Sequence, residues 1–145
     1  MIRQATNSDI KAINELGLLI EGNYSKLFNI EELLTKDYVN IYVYEENNDI
    51  YGFIHLESHY EICDLINIAV RSDMQNHSIG SKLLEYSINN MKADKMMLEV
   101  RESNVNAIKL YNKYNFKVIN IRKKYYGDEN ALIMESVKLW KMYIY

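Results

Sequence analysis

The stretch Ile62 to Val70, ICDLINIAV, constrains this chain more than any other. Only Asp64 and Asn67 interrupt its apolar run, and its length is that of a strand. Near-continuous apolarity over that length predicts a central strand covered on both faces. A polar loop follows, then an amphipathic helix from about Ser78 to Met91, then a second strand from Lys95 to Val100. A strand, helix, strand order of this length is a crossover, so the two strands lie parallel in one sheet.

Flanking segments read more simply. Ile2 to Ala5 is a short strand. Asn7, Ser8 and Asp9 offer N-caps for a helix with Ile10, Ile13, Leu16 and Ile20 at helical spacing. A second short helix spans about Asn29 to Thr35, with Ile30, Leu33 and Leu34 on its buried side. Val39 to Tyr44 and Ile50 to His59 are strands joined by a turn at ENND. Val105 to Asn115 reads as a helix, and Phe116 to Tyr125 and about Ala131 to Leu139 as strands. The order is β-α-α-β-β-β-α-β-α-β-β: an α/β (α+β) fold with a mixed, mostly antiparallel sheet, hairpins beside the central parallel unit, and helices on both faces. No repeat or linker divides the 145 residues, so one domain spanning 1–145 is expected.

The loop after the central strand has an unusual composition. A chain with five glycines and no proline sets Ser78, Gly80 and Ser81 together at the start of a helix. Small residues there leave backbone N–H groups uncovered, and uncovered N–H groups at a helix N-terminus hold anions. Capping alone also accounts for such residues.

Composition closes off other classes. A formal net charge of −3 and the absence of a long Lys/Arg block argue against a general nucleic-acid binder. Arg122, Lys123 and Lys124 read as a solvated strand end. Cys63 is the single cysteine, so an intrachain disulfide or cysteine-rich zinc site is impossible; apolar neighbours make it a small buried hydrophobe. The first residues turn polar at once and no apolar run reaches membrane-spanning length, so a cytoplasmic protein is expected. His55 and His59 stand four apart on a strand, some ~13 Å along it, too far to share a metal. Glu57 shares their side and could line the approach of an amine, although a solvated edge accounts for it. No Gly-Lys-Ser/Thr loop for a nucleotide hydrolase is present.

Three stretches then belong together. They are Val70-(x4)-Gln75-x-x-Ser78-x-Gly80-Ser81, the run LEVRESNVNAIKLYNKYNF from Leu98 to Phe116, and RKKYYGDENALIM from Arg122 to Met134. This combination resembles the GNAT (GCN5-related N-acetyltransferase) superfamily. Within it, Tyr125-Tyr126, Asn130-Ala131 and Met134 are similar to the RimI-like branch that acetylates the N-terminal alanine of a ribosomal protein. The resemblance implies a GNAT-type sheet and acetyl-CoA as donor. Residues 75–81 (Gln75, Asn76, His77, Ser78, Ile79, Gly80 and Ser81) would cradle its pyrophosphate. The strand backbone at Ile68, Ala69 and Val70 would pair with pantetheine.

Acyl transfer from a thioester to an amine also needs a base for the ammonium proton and an acid for the leaving thiolate. Glu99 alternates with Met96, Leu98 and Val100 and projects from the other face with Met97 and Arg101; the resemblance makes it the base. Asn104, Ala107, Ile108 and Tyr111 share one side of the next helix. There the resemblance makes Tyr111 the acid, Ala107 a space for the pantetheine arm and Asn104 a partner for its amides. This sequence departs from the family pattern where Ser78 replaces the first loop glycine and Gln75, Asn76 and His77 replace arginines. GNYSKLFNIEELL also stands where RimI-like chains carry an aromatic-and-proline segment. A protein N-terminal amine is the expected acceptor, with no metal and no nucleic acid. The alternatives are a small-molecule amine acetyltransferase and a non-catalytic CoA-binding module.

Overall fold

A computed structural model describes residues 1–125 and 127–138. Tyr126 and the expected last strand residue, Leu139, lie outside the described residues. The strands hydrogen-bond in the order β1-β2-β3-β4-β5-β7-β6, mostly antiparallel, and the β4–β5 pair is parallel. The chain divides into two compact units, Met1–Ser58 with Leu65–Asn90, and His59–Asp64 with the chain from Met91 onward. Among the described residues no helix is long and apolar enough to cross a membrane.

In the first unit, β1 (Ile2–Gln4) pairs antiparallel with β2 (Val39–Glu46), and β2 with β3 (Asp49–His59), whose last residue falls in the second unit. Asn47 and Asn48 form the expected turn at φ 52° and 65°. Asparagine tolerates the left-handed region, and two such residues match the twist of a tight hairpin. The helix opens at Asn7–Asp9 as expected, with Asp9 at the N-cap position of the α-helix but without a side-chain cap bond there. Those three residues form a 3-10 turn capped by Thr6, and α1 (Ile10–Gly17) follows. Asp9 accepts from the Thr6 N–H at 2.8 Å and from both Arg3 terminal nitrogens at 2.7 and 2.9 Å. Those Arg3 hydrogen bonds hold the Asp9 carboxyl below the usual carboxylate range.

α1 ends before Ile20, which is 39 % exposed rather than buried. The next helix, α2 (Tyr24–Leu27), was not legible in the sequence: four residues are too few to show a period. Its Tyr24 is fully buried, and its ring lies where a side chain on Gly17 would have to go. α3 (Ile30–Leu33) forms as expected, capped by Asn29 accepting from the Glu32 N–H at 3.2 Å, with Ile30 buried and Leu33 and Leu34 half-buried. Ile13, Leu16, Tyr24, Ile41, Val43 and Phe53 anchor the core. β4 (Ile62–Val70) has the expected bounds but not the expected cover. Cys63, Leu65 and Ala69 are buried while the other six residues are half-buried. Ile62, Asp64, Ile66, Ile68 and Val70 are one face of the strand, so only the opposite face, apart from Asn67, is fully covered. α4 (Ile79–Asn90) follows the loop and buries Ile79, Leu83, Leu84 and Ser87.

In the second unit, Ile62, Cys63 and Asp64 pair parallel with Lys95, Met96 and Met97 of β5 (Lys95–Arg101). The crossover reading therefore holds. β5 pairs antiparallel along its length with β7 (Ala131–Val137), and β7 with β6 (Lys117–Arg122), with a register shift between Val118 and Asn120. α5 (Val105–Lys113) connects β5 to β6. Met96, Leu98 and Val100 are buried, as alternation requires, together with Phe116, Ala131 and Met134. β6 is exposed throughout, and Arg122–Lys124 stand in solvent as expected.

Gly17→Ala places a methyl group inside the Tyr24 ring and should destabilise the protein by about 1–3 kcal/mol. The urea midpoint measures it. An unchanged midpoint would show that Tyr24 moves aside without cost.

Candidate functional site

The expected donor-binding residues lie in the first unit. After Val70, the Arg71 N–H donates to the Tyr51 carbonyl at 2.7 Å, and Ser72–Met74 make one 3-10 turn. Arg71 is occupied: its guanidinium pairs with Asp73 at 2.7 Å and lies 4.4 Å over the Tyr51 ring. Gln75 Nε2 donates to the Val70 carbonyl at 3.3 Å, so this side chain braces the loop against the end of β4. Asn76 and Ser78 both adopt positive φ, 69° and 63°. Ser78 is thus held in the backbone region that glycine enters freely and L-residues enter at a cost. A glycine at this place in the family pattern has a conformational reason.

The Lys82 N–H donates to the Ser78 carbonyl at 3.0 Å, the first bond of the helical ladder. The N–H groups of Ile79 and Gly80 come before it and have no carbonyl one turn back. Asn76, His77 and Ser78 are exposed, and Gly80 and Ser81 are half-buried. The positive end of the α4 dipole adds to this donor set. Lys82 is the cation in the first turn, its Nζ 5.8 Å from the Tyr44 ring centroid. The arrangement suits a ligand bearing phosphate groups, held mainly by backbone.

The expected acid–base residues lie in the second unit. Glu99 projects from β5 between buried Leu98 and Val100, its side chain 33 % exposed. Arg122 of β6 stands 3.4 Å from Glu99 Oε1, in a pair open enough to solvent that exchange for another hydrogen bond costs little. On α5, Asn104 is exposed, Ala107 and Ile108 are half-buried and Tyr111 is buried. Asn104 is the N-cap, its Oδ1 accepting from the Ala107 N–H at 3.2 Å, so its amide nitrogen is the part left to serve a ligand. The Tyr111 ring packs 5.6 Å from Phe116, and burial pushes its hydroxyl up to about 12. That value keeps the phenol protonated across neutral pH.

Other residues of the motif are structural. Asn130 Oδ1 accepts from the Lys124 N–H at 2.9 Å and its Nδ2 donates to Glu102, which ties the β6–β7 connection together. Ala131 and Met134 are core. Sequence reasoning missed one feature altogether. His55, read only as too far from His59 to share a metal, is fully buried, and its Nε2 lies 2.9 Å from Glu57 Oε2. Strand alternation shows that the two share a face, but only packing tells that the face is covered.

Residues 12–116 match the sequence model of the acetyltransferase (GNAT) family, and the chain belongs to that family. An N-alpha-acetyltransferase of Sulfolobus acidocaldarius is 32 % identical, covering 93 % of this chain and 90 % of its own. A [ribosomal protein bS18]-alanine N-acetyltransferase of Haemophilus ducreyi is 33 % identical over 80 % of this chain and 94 % of its own. The crystal structure of the ribosomal-protein-S18-alanine N-acetyltransferase from Escherichia coli superposes with a TM-score of 0.85 at 25 % identity, covering 95 % and 93 % of the two chains. A GNAT acetyltransferase from Elizabethkingia anophelis with acetyl-CoA bound gives 0.79 at 26 % identity over 94 % and 97 %. The protein is an N-acetyltransferase with a RimI-like sequence and fold.

Two predictions follow from this geometry. Ser78→Gly should leave acetyl-CoA affinity within twofold and raise stability by about 1 kcal/mol, by releasing the positive-φ cost. Gly80→Val should weaken acetyl-CoA about tenfold or more, because a branched side chain crowds the bare N–H groups. Calorimetric titration decides, and unaltered binding by Gly80→Val would remove the anion site from α4. The second concerns alkaline stability. Burial pushes Tyr24, like Tyr111, up to about 12 from an ordinary value of 10.0. Both folded phenols bind their protons more tightly than the unfolded ones, so the stability they contribute is complete below pH ~10 and drains away towards ~12. In chemical denaturation from pH 8 to 12, Tyr111→Phe should flatten part of the alkaline loss; an identical slope would contradict the burial effect.

Proposed function

We propose that this protein transfers the acetyl group of acetyl-CoA to the N-terminal amine of a protein, with a ribosomal protein among the candidate acceptors. The observation that carries this reading is the near full-length similarity to an N-alpha-acetyltransferase, and Glu99 and Tyr111 lie in the stretch that resembles the family motif. In this reading residues 1–145 act as one acetyltransferase domain. The N–H groups opening α4 hold the pyrophosphate, and the backbone of Ile68–Val70 pairs with pantetheine. Ala107 makes room for that arm, and the Asn104 amide nitrogen donates to it.

The amine attacks the thioester carbonyl directly within a ternary complex. The new C–N bond forms, the C–S bond breaks, and the electron pair leaves on sulfur. Glu99 takes the ammonium proton through a water. Tyr111 donates towards the departing thiolate. A phenol near 12 is a weaker acid than an alkyl thiol near ~8.5, so Tyr111 acts mainly by hydrogen bonding as the charge develops and transfers its proton late. That places its contribution at the low end of acid–base assistance.

CoA thiol release with Ala-first peptides as acceptors, and mass spectrometry of the products, tests the assignment. Glu99→Gln should lower kcat by ~10²–10⁴ at neutral pH, the range for a general base, and by less as pH rises and free amine accumulates. Tyr111→Phe should lower kcat by no more than ~10², with acetyl-CoA binding and thermal stability nearly retained. A loss below threefold in Glu99→Gln would pass the base role to another group, and full turnover in Tyr111→Phe would leave that residue as packing alone.

A further inference from the structure

His55 is a buried ionisable side chain that the chemistry above does not use. It has no exposed surface, and the Phe28 ring meets it edge-on with centroids 5.9 Å apart. Its Nε2 lies 2.9 Å from Glu57 Oε2, while its Nδ1 is enclosed without a hydrogen-bond partner. Burial pushes the ring below the ordinary histidine range against the opposing pull of Glu57, so the imidazole is neutral at physiological pH. A neutral imidazole carries one N–H, and an ionised carboxylate only accepts. The proton therefore sits on Nε2, and Nδ1 presents a bare lone pair to the interior.

Glu57 is the other half of the feature. Its side chain is only 22 % exposed. The residues opposite Glu57 and His55 on β2 are Val39 and Ile41, both buried and apolar. Among the described residues no lysine or arginine pairs with Glu57; its partner is the neutral ring of His55. Among the described residues, this largely covered carboxylate is held by a neutral donor and meets no counter-ion. Such a charge, beside an orphaned lone pair, is costly in a fold unless a cation arrives to meet it.

We propose that Glu57 binds the ammonium group of the acetyl acceptor, with His55 as the positioning residue that fixes the carboxylate through Nε2–H. The inference deepens the N-acetyltransferase reading and rests on it. The ligand class is a primary ammonium, carried either by a peptide N-terminus or by a small amine. With Oε2 held by His55, Oε1 is the oxygen that accepts from the ammonium. Because an anion stabilises the protonated amine, this contact favours binding and leaves deprotonation to a different base. Its signature is therefore in the acceptor KM rather than in kcat.

Initial rates at saturating acetyl-CoA, with an Ala-first peptide and with spermidine as acceptors, test the proposal. Glu57→Gln should raise the acceptor KM about tenfold or more, with kcat within twofold and the acetyl-CoA KM unchanged. Its melting temperature should hold or rise, because an unpaired charge has been removed. His55→Gln, which keeps an N–H donor, should retain most of the acceptor affinity, and His55→Leu should lose it. The acceptor whose KM responds identifies the source of the ammonium. An unchanged acceptor KM with a lowered melting temperature in Glu57→Gln would make the pair structural and overturn the proposal. If the wild type acetylates neither acceptor, the substrate reading fails on its own and thermal shift decides the site. Alaninamide should then raise the melting temperature of the wild type but not of Glu57→Gln, and N-acetylalaninamide should raise neither. Equal shifts, or none with alaninamide, would overturn the ammonium site.

Discussion

The N–H groups of Ile79 and Gly80 open α4 ahead of its hydrogen-bonded ladder, and the elements of the first unit leading up to that helix fix their place. β4 runs directly into the loop, the Arg71 N–H ties the strand end to β3, and Gln75 braces the loop on the Val70 carbonyl. Two residues in positive φ then turn the chain so that Ile79 starts the helix. The apolar side of α4, led by Leu83 and Leu84, anchors the helix in the core. A rigid seat matters because an anion site made of peptide dipoles works only if the dipoles do not have to reorient on binding.

The second unit solves a different problem with the same economy. β5 buries every other residue, which leaves Glu99 on the uncovered row, and β7 pairs along the whole of β5 to hold that row in register. α5 starts on Asn104 and carries Tyr111 two turns later, where Phe116 supports its ring. Tyr111 is both a core residue and the candidate donor, and the two roles are compatible. Burial that packs the ring also keeps the hydroxyl protonated. The same low-dielectric logic runs the other way at His55, where burial pushes the imidazole towards its neutral form.

Much of this was legible beforehand, for identifiable reasons. The parallel crossover followed from strand and helix lengths alone, and the bounds of β4 were read to the residue. Glu99 was assigned to its face by period-two alternation, and the Asn104–Tyr111 side of α5 by helical spacing. Errors fell where no period operates. α2 is a single turn, and α1 stops at Gly17, where the Tyr24 ring occupies the space of a missing side chain. Asp9 stands at the N-cap of α1 as expected, but Thr6 caps the 3-10 turn before it, and the Asp9 carboxylate bonds back to the Thr6 N–H and to Arg3.

The sequence by itself determined which residues can lie on a common face, because the repeats of strands and helices are properties of a local backbone. It also determined the family, through motifs at Leu98–Phe116 that local chemistry alone would not require. Tertiary structure decided which faces are covered. It alone showed that His55 is buried against Glu57, and it alone showed that Ser78 stands where glycine would be unstrained. Burial and backbone strain depend on what segments distant in sequence bring against a residue, and no local pattern records that.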